Sequence, residues 1–328
     1  MFTSRASYNV EMNSTGILLD ERFKRHSTGH GHPERPERLD AIREGLQSPG
    51  LLDDCVRIEP TPLSEGIIQL VHARDYLVRL DAACRQSYPY IDMPDCAISP
   101  ESYDIAKLAA GGVVKAARLV ASGDLKRAFC AVRPPGHHAE HDRSMGFCLL
   151  NNIALAACVL KEEFSIDRLL VLDWDVHHCN GTQHTFEADP KVLVISLHGH
   201  PNYLYPGTGF EEETGTDTGH GYTMNIPMMP GATDDDYRKA FKERIIPAVG
   251  RFAPQMVLVS TGYDAHTDDP IGNLALSDEI FAWMTETTLE LANAHADGRA
   301  VSVLEGGYNP GVLSRCASEH VRLLACAD

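Results

Sequence analysis

Six short apolar runs rich in Val, Ile and Leu alternate along the chain with longer segments whose apolar residues recur at helical spacing. The apolar character within each run is continuous rather than alternating, which is typical of strands buried on both faces of a parallel sheet. The predicted strands cover residues 16–19, 128–132, 169–173, 192–197, 256–260 and 300–304. The predicted helices cover residues 36–46, 103–121, 152–163, 234–249, 278–296 and 310–324.

This alternation predicts an α/β fold, with a mainly parallel central sheet, helices on both faces and right-handed crossovers. Two of the predicted helices carry start signals, because Thr233 precedes several acidic residues and Ser277 precedes Asp278 and Glu279. The 328 residues contain no internal repeat, low-complexity linker or long charge block. We therefore expect a single catalytic domain over residues 1–328.

Composition limits the classes of function. With 29 Lys and Arg against 46 Asp and Glu, the net charge is −17, which disfavours direct binding to nucleic acid. No apolar run approaches the roughly 18 residues of a membrane span, and residues 1–16 lack the apolar core of a signal peptide. The nine cysteines are scattered without a CxxC pair, which is typical of a reducing compartment. We expect a cytoplasmic protein with a small-molecule or peptide substrate, and a homo-oligomer is left open.

Polar clusters directly follow four of the predicted strands. They are RPPGHH at 133–138, DWDVHHCN at 173–180, TGYDAH at 261–266 and EGGY at 305–308. The carboxyl ends of parallel strands lie at one edge of a sheet, where ligands bind in this class of fold. The four clusters therefore predict a catalytic site at that edge.

The cluster that begins at Asp173 predicts a metal site. In an extended segment Asp173, Asp175 and His177 share one face, and such a group is costly to bury without a cation. Asp264 ends another strand and supplies a further carboxylate. Asp175, His177 and Asp264 would give three protein ligands and leave a position open, as in catalytic zinc sites. The alternative is a hydrogen-bonded polar cluster that caps the edge of the sheet.

Two adjacent histidines, His137 and His138, follow a turn in which two prolines fix φ. Imidazoles are suited to act as base and acid near neutral pH. Each requires a partner on its second ring nitrogen, and Asp173 and Asn180 are available for this. A His–His pair by itself is also compatible with a structural role.

Tyr308 follows two glycines after a buried strand. Paired glycines permit unusual backbone dihedral angles, so the phenol can point into a site and donate a hydrogen bond to a developing oxyanion. The alternative is a tyrosine that anchors a turn.

The ordered motifs are more specific together than any of them alone. They are HPERPERL (32–39), RPPGHH (133–138), GFCLLNN (146–152), DWDVHHCNGTQ (173–183), SLHGH and YPGTG (within 196–209), STGYDAHTDDP (260–270) and LEGGYN (304–309). In this set the chain resembles the zinc-dependent histone deacetylase and acetylpolyamine amidohydrolase family, which has the arginase–deacetylase fold. The similarity is closer to the class II branch and its bacterial amidohydrolase relatives than to class I.

The resemblance implies specific roles. His138 would pair with Asn180 and serve as general base and then acid, while His137 would pair with Asp173 and act electrostatically. Tyr308 would polarise the scissile carbonyl. One catalytic zinc ion, with iron as the alternative, would be held by Asp175, His177 and Asp264. The implied substrate contacts are Gly146, Phe147, Tyr205, Ile271 and Gly306. A potassium ion would be held, partly by backbone carbonyls, at Asp173, Asp175, His177, Ser196 and Leu197.

The implied activity is metal-dependent hydrolysis of a linear amide, which removes acetyl or another short acyl group from a primary amine such as that of lysine. An acidic residue at position 271 would favour a cationic polyamine, whereas Ile271 is apolar and favours acetyl-lysine. Asp268, Asp269 and the overall charge favour the alternative, an acetylpolyamine deacetylase.

More distant alternatives are an arginase-like ureohydrolase with two manganese ions and a non-enzymatic acyl-group binding protein. RPPGHH and EGGY have no clear role in ureohydrolase chemistry, and a binding protein would be expected to have lost a ligand or Tyr308. Cys179 stands where the family usually has glycine. A larger side chain there would either shift His178 or Asn180, or add a thiol within reach of oxidants or soft metals, and we expect the change to be tolerated.

Overall fold

A computed structural model describes residues 15–47, 50–53 and 55–326. The expectation that residues 1–16 are not a signal peptide therefore concerns residues that lie almost entirely outside the described part of the chain. The single domain expected over residues 1–328 also extends beyond the described residues. The strands are β1 (Thr15–Leu19), β2 (Val56–Arg57), β3 (Arg127–Ala131), β4 (Leu169–Asp173), β5 (Val192–Gly199), β6 (Thr223–Met228), β7 (Met256–Thr261) and β8 (Ala300–Leu304). The helices are α1 (Glu37–Gly45), α2 (Glu65–Ile68), α3 (Arg74–Arg85), α4 (Ser102–Ser122), α5 (Asn152–Phe164), α6 (Asn180–Phe186), α7 (Asp234–Ala240), α8 (Ile246–Phe252), α9 (Asp278–His295) and α10 (Pro310–Cys326).

All eight strands are parallel and form one sheet in the order β2-β1-β3-β8-β7-β4-β5-β6. Every residue of β3, β4, β5, β7 and β8 is buried. Because successive side chains of a strand point to opposite faces, both faces of the sheet must be covered. Helices α4 and α5 pack together, and α1, α9 and α10 form a second group. The predicted α/β fold class is confirmed.

The six predicted strands are present with bounds that differ by at most two residues. Two strands at the edges of the sheet are not predicted by the sequence. β6 contains both buried and half-buried residues and includes Pro227, a residue type that edge strands tolerate. β2 has only two residues, both exposed, so no buried apolar run marks it. Helices α2, α3 and α6 are also not predicted by the sequence.

The helix predicted over residues 234–249 is wrong as a single regular helix. Thr233 caps its start as expected, and its backbone N–H donates to Asp236 Oδ2 over 2.9 Å. The helix then widens into a π-helical turn over Phe241–Ile245 before α8 begins. Pro247 has no backbone N–H and therefore cannot make the bond that a regular helix requires at this position.

Among the described residues, no helix has both the length and the apolar character needed to cross a membrane.

Candidate active site

Four neighbouring strands carry the polar clusters. β3, β8, β7 and β4 lie side by side in the centre of the sheet, and all four run in the same direction. Their carboxyl ends are therefore at one edge, where RPPGHH, EGGY, TGYDAH and DWDVHH emerge. The site is built on rigid, fully buried strands rather than on long mobile loops.

The side chains of Asp175, His177 and Asp264 come together, and all three residues are buried. One ligand atom from each lies within 4.8 Å of the others. His177 Nδ1 is 3.0 Å from Asp175 Oδ1 and 3.2 Å from Asp264 Oδ2. Trp174 and Val176 point into the core, as the predicted alternation of faces requires.

These three side chains fit a cation. Asp264 Oδ2 is buried and accepts no hydrogen bond of good geometry, although His177 Nδ1 lies 3.2 Å away. A Cβ atom at Gly306 would lie 2.0 Å from that oxygen and 2.5 Å from Asp175 Oδ2, so only glycine leaves the two carboxylates room. Two buried carboxylate oxygens beside an imidazole nitrogen are a typical donor set for zinc. The predicted metal ligands are therefore brought together.

The electrostatics of the three side chains are suited to a cation. Burial by itself would lower the pKa of His177, but the carboxylates of Asp175 and Asp264 outweigh it and raise the pKa to about 10. Burial and the neighbouring Asp175 raise the pKa of Asp264 to about 7. The negative charge that raises these pKa values is the charge that a bound divalent cation would compensate.

The two adjacent histidines differ in charge. His137 Nδ1 is 3.0 Å from Asp173 Oδ2. Burial opposes its protonation, but Asp173, Asp175 and Glu305 raise the pKa of His137 to about 10. Buried imidazole and carboxylate at this distance form an ion pair, so His137 carries a positive charge at neutral pH.

His138 is the neutral member of the pair. Its Nδ1 lies 2.6 Å from Asn180 Oδ1. Burial, together with the positive charges of His137 and His177, lowers the pKa of His138 well below its ordinary value. Because Nδ1 is engaged by Asn180, Nε2 is the nitrogen left to exchange a proton.

Tyr308 is buried beside the ligand cluster and is held from both sides. The guanidinium of Arg38 lies 5.1 Å from the centre of the Tyr308 ring and donates to the carbonyls of Gly307 (2.7 Å) and Glu305 (2.5 Å). The Asp269 carboxylate accepts from the backbone N–H of Tyr308 over 2.6 Å. Arg38 lies in HPERPERL and Asp269 in STGYDAHTDDP, but the sequence does not indicate that either residue holds Tyr308.

A buried ion cluster supports the turn before His137. Glu34 is fully buried and accepts hydrogen bonds from Arg133 and Arg38. Burial would raise the pKa of Glu34, but the two guanidinium groups outweigh it and lower the pKa to about 2. The Glu305 carboxylate accepts from the backbone N–H groups of Gly136 and His137, over 2.7 Å and 3.1 Å. Glu305 was also missed, although it is the first residue of EGGY.

A second group of metal-binding residue types consists of His137, Cys148 and Glu305, all buried. Each of them already has a partner: Asp173 for His137, the Gly146 carbonyl for the Cys148 thiol at 3.2 Å, and two backbone N–H groups for Glu305. Since these bonds satisfy the group, it is a structural network.

Phe147 and Tyr205 lie on different sides of the site. The Phe147 ring contacts the edge of Tyr308 at a centroid distance of 5.8 Å, whereas the Tyr205 ring contacts His138 at 5.2 Å. Phe147 has a φ of +67°, a conformation that costs energy for a side chain other than glycine and is concentrated at functional sites. Gly146 allows the close approach of His138, since a Cβ there would lie 2.3 Å from the imidazole. Both predicted aromatic residues are half-buried.

The remaining predicted residues lie nearby. Asp173 and Ser196 are register partners on β4 and β5, and Leu197 follows Ser196 in β5, so these three of the five predicted potassium ligands are adjacent. Ile271 is half-buried, and its backbone N–H donates to Asp269, the residue that also binds Tyr308.

Cys179 is accommodated, as predicted, because its φ of −79° requires no glycine. The expectation that its thiol is within reach of oxidants or soft metals is wrong. The residue is fully buried and burial raises the pKa of the thiol, so no accessible thiolate is present.

Comparison with known proteins identifies relatives over most of the chain. A family described as the histone deacetylase domain matches residues 32–324. A probable deacetylase from Archaeoglobus fulgidus is 42% identical over 298 residues, which cover 90% of this chain and 81% of the relative. The histone deacetylase-like amidohydrolase of Pseudomonas aeruginosa is 37% identical, with 87% and 75% covered.

Plant relatives are longer than this chain. Histone deacetylase 15 of Arabidopsis thaliana is 37% identical over 319 residues, and the chain spans 57% of its length. The crystal structure of the HDA15 HD domain superposes with a TM-score of 0.91 and 37% identity, covering 95% of this chain and 88% of that one.

Proposed function

The chain belongs to the histone deacetylase family, and on this basis we propose that it removes acetyl or other short acyl groups from an acylated primary amine such as acetyl-lysine. The observation that carries the proposal is the meeting of three features at one edge of the sheet. These are the Asp175–His177–Asp264 cluster, a neutral histidine bound to Asn180, and Tyr308 held between Arg38 and Asp269.

Asp175, His177 and Asp264 would hold one zinc ion. The convergence of the three side chains, an Asp264 oxygen that accepts no hydrogen bond of good geometry and the space left by Gly306 support this assignment. When bound, zinc acts as a Lewis acid that polarises a carbonyl and lowers the pKa of water.

His138 would take the proton from the attacking water and later deliver it to the leaving amine. Its low pKa keeps it neutral and able to accept, and Asn180 holds the imidazole through Nδ1. His137 is already protonated at neutral pH, so it cannot serve as the base. Its charge instead stabilises negative charge that develops on the substrate.

Tyr308 would donate its phenolic proton in a hydrogen bond to the substrate carbonyl oxygen. Burial and the carboxylate of Asp264 raise the pKa of the phenol, so the group stays protonated and remains a donor. Phe147 and Tyr205 would contact the alkyl chain of the substrate from two sides, and Gly146 and Gly306 would line the site beside His138 and the carboxylates.

We also propose a potassium site beside the zinc ligands, formed by Asp173, Asp175, His177, Ser196 and Leu197. The adjacency of Asp173 and Ser196 across β4 and β5 supports it.

Substrate preference follows from the charges near Tyr308. Asp269 is buried and its oxygens accept backbone N–H groups, so it is not available to a cationic substrate. Of Asp268 and Asp269, only Asp268 has a side chain that is exposed to solvent. The burial of Asp269 and the apolar side chain of Ile271 support the proposal of acetyl-lysine, whereas the exposed Asp268 favours the acetylated polyamine.

The test is a comparison of kcat/KM on an acetyl-lysine peptide and on acetylputrescine. We expect a preference for the peptide, and the Ile271→Glu variant should improve the relative rate on acetylputrescine by about fivefold, the value of an exposed ion pair. Ile271→Gln is the matched uncharged control and should leave the ratio unchanged. A wild-type preference for acetylputrescine would favour the polyamine alternative, and no hydrolysis of either compound would contradict the proposed function.

Metal content separates the proposal from a ureohydrolase. One zinc or iron ion per chain agrees with a deacetylase, whereas two manganese ions per chain would favour the ureohydrolase.

Metal affinity should depend steeply on pH. The pKa of His177 is about 10 and that of Asp264 is about 7 without a metal, so both lose their protons before they can act as ligands. Raising the pH removes these protons and strengthens binding. We expect the apparent Kd for zinc to fall about tenfold per pH unit between pH 7 and 9, and more steeply below pH 7. Calorimetry in buffers of different ionisation enthalpy counts the protons released, and a Kd independent of pH from 6 to 9 would contradict the assignment.

A further inference from the structure

The amide of Asn180 can be placed in two orientations, and only one of them suits a general base at His138. Asn180 is the first residue of α6 and is buried. Its Oδ1 lies 2.6 Å from His138 Nδ1, and its Nδ2 donates to the backbone carbonyl of His138 over 3.2 Å. If the amide were reversed, Nδ2 would face His138 Nδ1 and stabilise the tautomer that carries its proton on Nε2.

A carboxylate fixes the orientation. Asn180 Nδ2 also donates to Glu140 Oε1 over 2.5 Å. An ionised carboxylate only accepts hydrogen bonds, so it binds the NH₂ end of the amide and repels the carbonyl end. Asn180 Oδ1 must then face His138 and accept the proton on Nδ1, which leaves Nε2 without a proton.

Glu140 is itself held in place and charged. It is 7% exposed, and its backbone carbonyl accepts from His72 Nδ1 over 2.8 Å. Both of its carboxylate oxygens are 2.9 Å from His184 Nδ1. Burial would raise the pKa of Glu140, but hydrogen bonds from His184 and Asn180 outweigh burial and lower it. Glu140 therefore stays ionised at neutral pH.

We propose that Glu140 is a positioning residue, which sets the amide orientation of Asn180 and thereby keeps His138 in the tautomer that has a free Nε2. The proposal rests on the proposed function, in which His138 transfers the proton. Glu140 lies two residues after His138 in the sequence. A His-Ala-Glu sequence by itself does not indicate a functional residue.

A purely structural role is the competing explanation. Glu140 forms an ion pair with His184, whose side chain is 43% exposed, and loss of that pair could lower stability alone. His184→Ala is the matched control, because it removes the ion pair and leaves the bond between Glu140 and Asn180.

The first experiment measures kcat and KM on an acetyl-lysine peptide with metal content verified. We expect Glu140→Ala to lower kcat by about tenfold or more, the usual effect of removing a residue that orients a functional imidazole, with KM within about twofold. Glu140→Gln retains an oxygen that accepts from Asn180 and should recover most of the rate, and His184→Ala should stay within about twofold of wild type. Glu140→Leu, which fills more of the space, serves if the alanine variant does not fold. Wild-type kcat in the alanine or leucine variant would overturn the proposal.

The second experiment reads the tautomer directly. Nitrogen-15 NMR of histidine-labelled protein should show His138 protonated on Nδ1 in wild type and in His184→Ala, and a shift toward the Nε2-protonated form in Glu140→Ala. An unchanged tautomer in Glu140→Ala would overturn the proposal. If wild type hydrolyses no acylated amine, the proposed function fails, while the tautomer measurement still decides the role of Glu140.

Discussion

Tyr308→Phe is expected to lower kcat for amide hydrolysis by about 100- to 1000-fold, the usual cost of losing one oxyanion donor. The ring should stay where it is, because Arg38 lies 5.1 Å from its centre and the Phe147 ring meets it at 5.8 Å. Asp269 accepts from the backbone of residue 308, a bond that does not involve the phenol. The substitution therefore removes one hydrogen-bond donor and little else.

Steady-state kinetics on an acetyl-lysine peptide measures this loss, and KM should change far less than kcat because the donor acts mainly in the transition state. Tyr222→Phe is the matched control. Tyr222 directly precedes β6 and so lies at the amino ends of the strands, away from the site, and the control should keep wild-type kinetics. A Tyr308→Phe enzyme with normal turnover would remove the phenol from the mechanism.

The second large effect distinguishes the two adjacent histidines. His138→Ala should lower kcat/KM by about 100- to 10,000-fold, the range for loss of a general acid–base group. His138 is neutral because burial, His137 and His177 lower its pKa, so it can accept a proton. His137 has a pKa of about 10 and is already protonated, so His137→Ala removes a charge rather than a base. We expect its loss to be at least about tenfold smaller.

Metal content must be measured for both variants, since His138 and His177 are neighbours with ring centres 5.8 Å apart. His220→Ala removes an exposed imidazole that precedes β6, at the amino ends of the strands, and should leave the rate unchanged. A larger loss for His137→Ala than for His138→Ala would reverse the assigned roles.

The fold could be predicted largely because its central strands are buried on both faces. Residues 169–173 and 300–304 form continuous apolar runs, and these strands have the predicted bounds. The sequence does not predict β6, because this strand lies at the edge of the sheet, where some of its residues are only half-buried. Its sequence therefore has no continuous apolar run. The π-helical turn before Pro247 interrupts a segment whose apolar spacing is helical throughout, so periodicity alone could not reveal it.

Asp175 and His177 could be found in one short segment, and Asp264 could be found because it follows another strand. Asp269, Arg38 and Glu140 could not be assigned in the same way, because each acts on a residue placed beside it by the fold. Asp269 binds the backbone of Tyr308, 39 residues away, and Glu140 binds Asn180, 40 residues away. A sequence motif shows which residue types are present. It does not show which atoms of distant residues lie within hydrogen-bond distance of each other.

The amino-acid sequence by itself determined the parallel sheet and the edge at which the chemistry is placed, since burial of apolar runs and the polar residues after them are local properties of the chain. Only the tertiary structure decided which histidine is charged, which way the Asn180 amide faces and which carboxylates meet His177. Those properties depend on distances of about 3 Å between groups far apart in sequence, and hydrogen bonds and pKa shifts change steeply over such distances.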